Sequence, residues 1–254
     1  MKISIITATY NSASVINDCL NSVKLQKYKD IDHIIIDGNS ADETLQILET
    51  KRSQIKTLIS EPDHGIYDAM NKGIKNSTGE IVGFLNSDDI YANDEVLSDV
   101  VNLFKNNKSL DACYADLIYT SQNDISKNVR YWKSSKFNLG LFSRGWCPPH
   151  QTFFVRRKIY EKFGCFNVKY KIASDVELMM RFLEVNKINV CYVPKTWIKM
   201  RLGGTTNKSV RNILIQNKEI IHALKTHNLD FNYLSFCFHK LISRSLQFLR
   251  SENK

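Results

Sequence analysis

The sequence predicts an α/β fold, a mostly parallel sheet with helices on both faces and a helical tail. Two observations carry this. In the first hundred residues, short β-branched or leucine-rich runs alternate with longer segments whose apolar residues recur at helical spacing. Polar residues also cluster directly after each short run, where a sheet of this kind opens its ligand crevice. At 254 residues the chain can bury a substantial core without disulfide or metal staples. Its 43% hydrophobic and 24% charged residues sit near the globular average, which excludes disorder, collagen and coiled coil.

Strands are expected at 3–8, 33–37, 57–60 and 81–85, each too short for a helix. Helices are expected at 14–26, 42–51, 65–76 and 97–104, the second opened by a Ser40/Glu43 capping box. The texture then changes. Strands are expected at 112–120, 129–132 and 189–193, helices at 155–163 and 175–185, and a loop at 143–151 holding Trp146, Pro148, Pro149 and His150. The division expected is one domain over 1–205, with halves at 1–105 and 106–205, then a tail over 206–254.

The formal net charge is +9, and residues 208–254 hold eight Lys/Arg against three Asp/Glu. Such a balance favours an anionic partner. The six cysteines show no CxxC pair, so reduced thiols are expected. The N-terminus turns polar too soon for a signal peptide, and no apolar run reaches the ~18 residues of a spanning helix. A cytoplasmic location follows as the expectation.

Asn86-Ser87-Asp88-Asp89 closes the fourth expected strand. Adjacent carboxylates at a buried strand end repel unless a cation or hydrogen-bond donors neutralise them, and Mg²⁺ or Mn²⁺ with phosphate oxygens suits them. A helix N-cap is the plainer alternative. Asp37, alone after the second strand, has the chemistry to hold a ribose hydroxyl or a base N–H. The first turn, Ala8-Thr9-Tyr10-Asn11, lacks glycine, so neither a dinucleotide fingerprint nor a Walker A loop is present.

Four ordered segments, 5–11 (IITATYN), 37–44 (DGNSADET), 61–73 (EPDHGIYDAMNKG) and 84–89 (FLNSDD), closely resemble the family 2 glycosyltransferases, especially bacterial enzymes of polysaccharide assembly. The resemblance covers 1–205 and implies a nucleotide-binding half over 1–105 and an acceptor-binding half over 106–205. It implies a GT-A fold with a Rossmann-like sheet, a nucleotide-sugar donor, a divalent cation (Mn²⁺ or Mg²⁺) and inversion at the anomeric carbon. Thr7, Ala8, Thr9, Tyr10 and Asp37 fall at positions that hold the nucleotide. Asp63, Asp68, Lys72, Asn86 and Ser87 join the donor site, and Asp88 with Asp89 the metal. The sequence departs from the common pattern at Asn86, where many relatives carry an aspartate.

Lys72 either meets donor phosphate or pairs with Asp68 one turn earlier; Tyr67 and Met70 read as core. Asp175, at a helix start, matches the family's catalytic base, with Glu177 as an alternative and a helix cap as the plain one. Trp146 and His150 are acceptor-side candidates that also suit a structural role. Arg201, before Gly203 and Gly204, either offsets leaving-group charge or merely exits to the tail. In the tail, Leu234, Phe238, Leu241, Ile242, Leu246 and Leu249 share one helical face; His239, Lys240, Ser243, Arg244, Gln247 and Arg250 share the other. That pattern fits either an anionic membrane surface or packing on the domain or a partner.

The function expected is transfer of a sugar from a UDP-linked donor to a lipid-linked glycan. A sugar nucleotidyltransferase is disfavoured by the absence of a glycine- and lysine-rich first loop. A nucleic-acid-binding module is disfavoured because the basic charge concentrates in the amphipathic tail.

Overall fold

All seven residues of β1 (Ile3–Thr9) are buried, because helices cover both faces of the strand. It is followed by α1 (Ile16–Lys24), β2 (Ile31–Asp37), α2 (Thr44–Thr50), β3 (Thr57–Ser60), α3 (Ile66–Lys75) and β4 (Ile81–Phe84). Then come β5 (Ile90–Tyr91), α4 (Val96–Asn106), β6 (Ala112–Thr120), β7 (Asn128–Trp132), β8 (Phe154–Arg156), α5 (Arg157–Phe163), α6 (Ser174–Met180) and β9 (Val190–Arg201). Two further helices, α7 (Val210–Thr226) and α8 (Tyr233–Leu249), close the chain. The structure is a computed structural model that describes residues 1–203 and 209–249.

Among the described residues nine strands form one sheet, ordered β3-β2-β1-β4-β8-β6-β9-β5, with β7 beside β6. β3, β2, β1 and β4 are parallel, as are β6 and β9; β5, β7 and β8 run against their neighbours. Strands β2 and β3 lie to one side of β1 and β4 to the other, so a crevice opens at their shared carboxyl ends.

Each sheet face carries its own apolar cluster. One joins Ile5, Leu20, Leu97 and Phe104 beneath α1 and α4. The other joins Ile6, Met70, Phe84, Met179 and Phe182 beneath α3 and α6. Helix α3 lies so close to β1 that a Cβ on Gly73 would come within 2.3 Å of Ile6 Cγ2. Larger side chains there would lever the helix off the sheet.

Three local expectations change. Residues 154–156 form β8, and the helix begins only at Arg157, because Val155 is bridged between Val82 of β4 and Ala112 of β6. Strand β9 runs to Arg201 rather than ending at 193, since a register shift opposite Ala115/Asp116 takes up Pro194 and Lys195. The capping box does not form. Ser40 Oγ donates to Asp37, and Asp42 Oδ1 instead accepts the N–H of Thr44 at 3.0 Å. The buried carboxylate of Asp37 outcompetes a helix end for that hydroxyl.

Segment 209–249 packs on the domain. Ile220, Ala223 and Leu224 of α7 and Phe236 of α8 are buried in the same cluster as Met179 and Phe182. Helix α8 turns Lys240 and Arg244 inward and leaves Leu234, Phe238 and Leu241 exposed (76%, 61% and 68%). Arg250 lies outside the described residues. No described helix is long and apolar enough to cross a membrane. All six cysteines are free.

Candidate active site

The residues after β1, β2 and β4 meet at the crevice. The β1 and β4 turns are tied by Ser12 Oγ and Ser87 Oγ at 2.9 Å. Thr7 lies beneath the surface: wholly buried, its hydroxyl is taken by His33 Nε2 at 3.0 Å, so it builds the floor. Burial pushes His33 down to about 4, which keeps that imidazole neutral at pH 7. Ala8 is buried as well. Thr9 is 4% exposed and its hydroxyl has no protein partner, while Tyr10 stands 63% exposed beside it.

Asp37 is fully buried at the end of β2. Its carboxylate accepts the Ser40 N–H at 3.0 Å and the Ser60 hydroxyl at 2.7 Å, besides Ser40 Oγ. Four oxygen lone-pair sites permit one further donor. Next to it, a Cβ on Gly38 would lie 2.6 Å from Asp63 Oδ2 and 3.4 Å from the Tyr10 ring. An exposed aromatic ring, a bare backbone and a carboxylate therefore adjoin. Asp63 and Asp68 also hold the intervening loop, accepting the N–H of Gly65 at 2.8 Å and of His64 at 3.1 Å. Lys72 is engaged by Glu61 at 2.8 Å, Asp68 at 3.6 Å and the Pro62 carbonyl. Of its two expected roles, the ion pair with Asp68 is present.

In the acidic turn, Asp88 and Asn86 are half-buried and Asp89 fully buried. Asn86 Nδ2 donates to Asp89 Oδ2 at 3.2 Å. Burial, then the adjacent Asp88 charge, push the Asp89 carboxyl well above the ordinary carboxylate range. Asn86 Oδ1 and Asp89 Oδ1 are both buried without a protein partner. Two orphaned oxygens beside a half-buried carboxylate match what a hard cation accepts. Among the described residues no cluster of three His, Cys, Asp or Glu could hold a metal. A cation here would complete its shell with phosphate oxygens and water.

Arg201, 7% exposed at the end of β9, pairs with Asp18 of α1, and its Nε is a further buried atom without partner. Gly204, beyond it, lies outside the described residues.

Asp175 is half-buried in the first turn of α6. The Tyr67 hydroxyl, from α3, is shared between Asp175 Oδ1 and the Ile172 carbonyl, each at 2.9 Å. Burial, then the Asp175 charge, raise Tyr67 far above its ordinary value, so it stays a donor. His150 is 8% exposed, packed between Phe84 (5.3 Å) and Phe166 (5.6 Å), with Nε2 unpartnered. Burial lowers its pKa against the pull of Asp175. Trp146 sits in an aromatic cluster with Tyr114, Phe137 and Phe142. Glu177, the other carboxylate considered as base, is buried and bound by His227 Nε2 at 2.8 Å and Arg181 Nε at 2.9 Å. It bolts α6 to α7.

Two residues with functional bearing escape a sequence reading. Tyr67 reads as core by its spacing, and its ring does stack on Phe166, yet its hydroxyl reaches Asp175. Glu219 of α7 accepts the N–H of Lys171 (2.8 Å), Ile172 and Ala173 (both 2.9 Å), fixing the segment that leads into Asp175. The available signal is the one acid of α7, beside the apolar Ile220 in a helix otherwise charged only by Lys and Arg.

The sequence profile of the family described as "Glycosyl transferase family 2" matches residues 4–164. The chain belongs to glycosyltransferase family 2. Among similar proteins, a PGL/p-HBAD biosynthesis glycosyltransferase of Mycobacterium bovis (strain BCG / Pasteur 1173P2) is 33% identical over 181 residues, 70% of this chain and 68% of that relative. An uncharacterized glycosyltransferase of Rickettsia prowazekii (strain Madrid E) is 26% identical over 217 residues, 83% of this chain and 68% of that one. S. aureus TarS 1-349 in complex with UDP-GlcNAc superposes with a TM-score of 0.69 at 20% identity, covering 100% of this chain and 74% of that one. The mannosyltransferase PcManGT from Pyrobaculum calidifontis, in complex with GDP-Man and Mn²⁺, gives 0.66 at 17% identity, covering 98% and 69%. The family 2 chain is thus a glycosyltransferase enzyme with a GT-A fold, and related structures bind nucleotide-sugar donors.

Proposed function

We propose that this family 2 enzyme is an inverting, metal-dependent glycosyltransferase that moves a sugar from a UDP-linked donor to a lipid-linked glycan in cell-surface polysaccharide assembly. The observation that carries this is the placement of unsatisfied polar atoms. Thr9 Oγ1, Asn86 Oδ1 and Asp89 Oδ1 are all buried without protein partners, and all lie at or just after the carboxyl ends of β1 and β4. Orphaned buried polar groups are costly, and a polar ligand satisfies them.

In this reading the base lies against Tyr10 and the bare backbone at Gly38, with Asp37 and Asp63 accepting from ribose or base. Asp88, with Asn86 and Asp89, would hold a divalent cation, which offsets charge on the diphosphate leaving group. Asp175 accepts the proton of the acceptor hydroxyl as that oxygen attacks the anomeric carbon, and the nucleotide diphosphate departs from the opposite face. Tyr67 holds the carboxylate in place, and Glu219 holds the segment before it.

The test is transfer from a panel of radiolabelled UDP-sugars into lipid extracted from a bacterial membrane, comparing wild type with Asp175→Asn. Transfer that depends on Asp175 supports the assignment. Near-wild-type transfer by the variant removes Asp175 from the role of base.

A further inference from the structure

Helix α8 packs against the domain by the side that carries its charge. Lys240 Nζ donates to Asn217 Oδ1 at 2.7 Å, and Arg244 Nη2 to Gln216 Oε1 at 3.2 Å. Both partners are neutral amides of α7, so they orient the cations without matching their charge. The Lys240 stem lies on the loop before His150: a Cβ on Gly145 would sit 3.0 Å from Lys240 Cβ. The ammonium is 5.4 Å from the Phe236 ring centre.

Two like charges one turn apart repel, and partial burial adds to their cost. Burial, then Arg244, lower Lys240 to about 8, opposed by Cys147, Cys237 and Asp175. The Arg244 charge also acts on Cys147 and on Tyr119. A helix serving an anionic surface with its basic side would leave these residues facing outward. Here they face inward, and the outward side is apolar. The pair is oriented and partly desolvated, and Lys240 lies against the loop that leads to His150, within reach of the Asp175 charge.

We propose that Lys240 and Arg244 form an oxyanion site that takes a phosphoryl group borne by the acceptor, placing its hydroxyl before Asp175. This rests on the glycosyltransferase reading above. A planar guanidinium with an adjacent ammonium suits a phosphoryl group: the fork binds two oxygens and the lysine adds a point charge.

The experiment is calorimetric titration of inorganic phosphate into the full chain with saturating UDP present, so that the donor site is filled. Wild type is compared with Lys240→Gln and Arg244→Gln, and sodium chloride of equal ionic strength serves as control. Phosphate binding is expected to weaken about tenfold in each variant. Octyl phosphate is expected to bind wild type at least as tightly as inorganic phosphate.

Equal phosphate affinity in wild type and variants overturns the site, as does wild-type binding indistinguishable from the chloride control. Exclusion of octyl phosphate overturns the assignment to an acceptor. If Lys240→Gln fails to fold, the half-exposed Arg244 variant decides alone. A separate UDP titration on wild type tells the two failures apart: lost UDP binding counts against the donor reading, lost phosphate binding against this site.

Discussion

The Tyr67 hydroxyl donates to Asp175 Oδ1 at 2.9 Å across 108 residues of chain, joining the helix after β3 to the helix that presents the proposed base. The same hydroxyl also meets the Ile172 carbonyl, so carboxylate and backbone are set by one donor. Replacing Tyr67 with Phe keeps the ring packing and removes only this donor. A hydrogen bond to a charged group contributes about 1.5–3 kcal/mol. We expect kcat to fall roughly tenfold or more with the KM for donor unchanged. A kcat equal to wild type would show that Tyr67 serves packing alone.

Asp175→Asn is the sharper change. Loss of a general base lowers rate about 10²–10⁴-fold, whereas the turns after β1, β2 and β4, proposed to hold the nucleotide, are untouched. Nucleotide affinity by calorimetry should therefore stay within a factor of two or so. A parallel loss of both quantities would place Asp175 in donor binding instead.

Glu219 satisfies three successive backbone N–H groups. Glu219→Ala leaves these donors without their acceptor, at a cost of about 1–3 kcal/mol. A lower Tm and a lower kcat are both expected, and Glu219→Gln should recover part of each by retaining one acceptor oxygen. A Tm drop with unchanged kcat would confine Glu219 to stability.

Glu177 carries a pH signature. Burial opposes its ionisation, but the His227 and Arg181 contacts outweigh that and hold the carboxyl below its ordinary 4.5. A depressed carboxylate contributes stability that is complete above the unfolded value and is lost as pH falls through the folded one. The stability gap between wild type and Glu177→Gln should thus be widest near neutrality and shrink below about pH 4.5. Urea unfolding at pH 7 and pH 3.5 checks this; a gap that grows on acidification contradicts it.

Most of the fold of residues 1–105 was legible in the sequence because its signals are local. A buried parallel strand is a short apolar run, and the polar turn that follows occupies the crevice by topology alone. Asp37 and Asp88 could be found that way; Asp175, at a helix start, is singled out only by its resemblance to the family's base position. The side chains that support them could not. Tyr67 sits on the apolar stripe of α3, and only the fold shows its hydroxyl emerging beside α6. Glu219 and Lys240 lie in a segment whose composition suggests a surface tail, and only long-range packing turns that segment inward. Pro194 disguised β9 in the same way: it breaks a local strand pattern that a bulge in the sheet absorbs.

The most direct test is calorimetric titration of UDP into wild type and Asp88→Asn, each with Mn²⁺ and with EDTA. Wild type should bind UDP at least about tenfold more tightly with Mn²⁺, and Asp88→Asn should lose that difference. UDP that fails to bind wild type under either condition, or binds equally with and without metal, would contradict a metal-assisted nucleotide site at the ends of β1, β2 and β4.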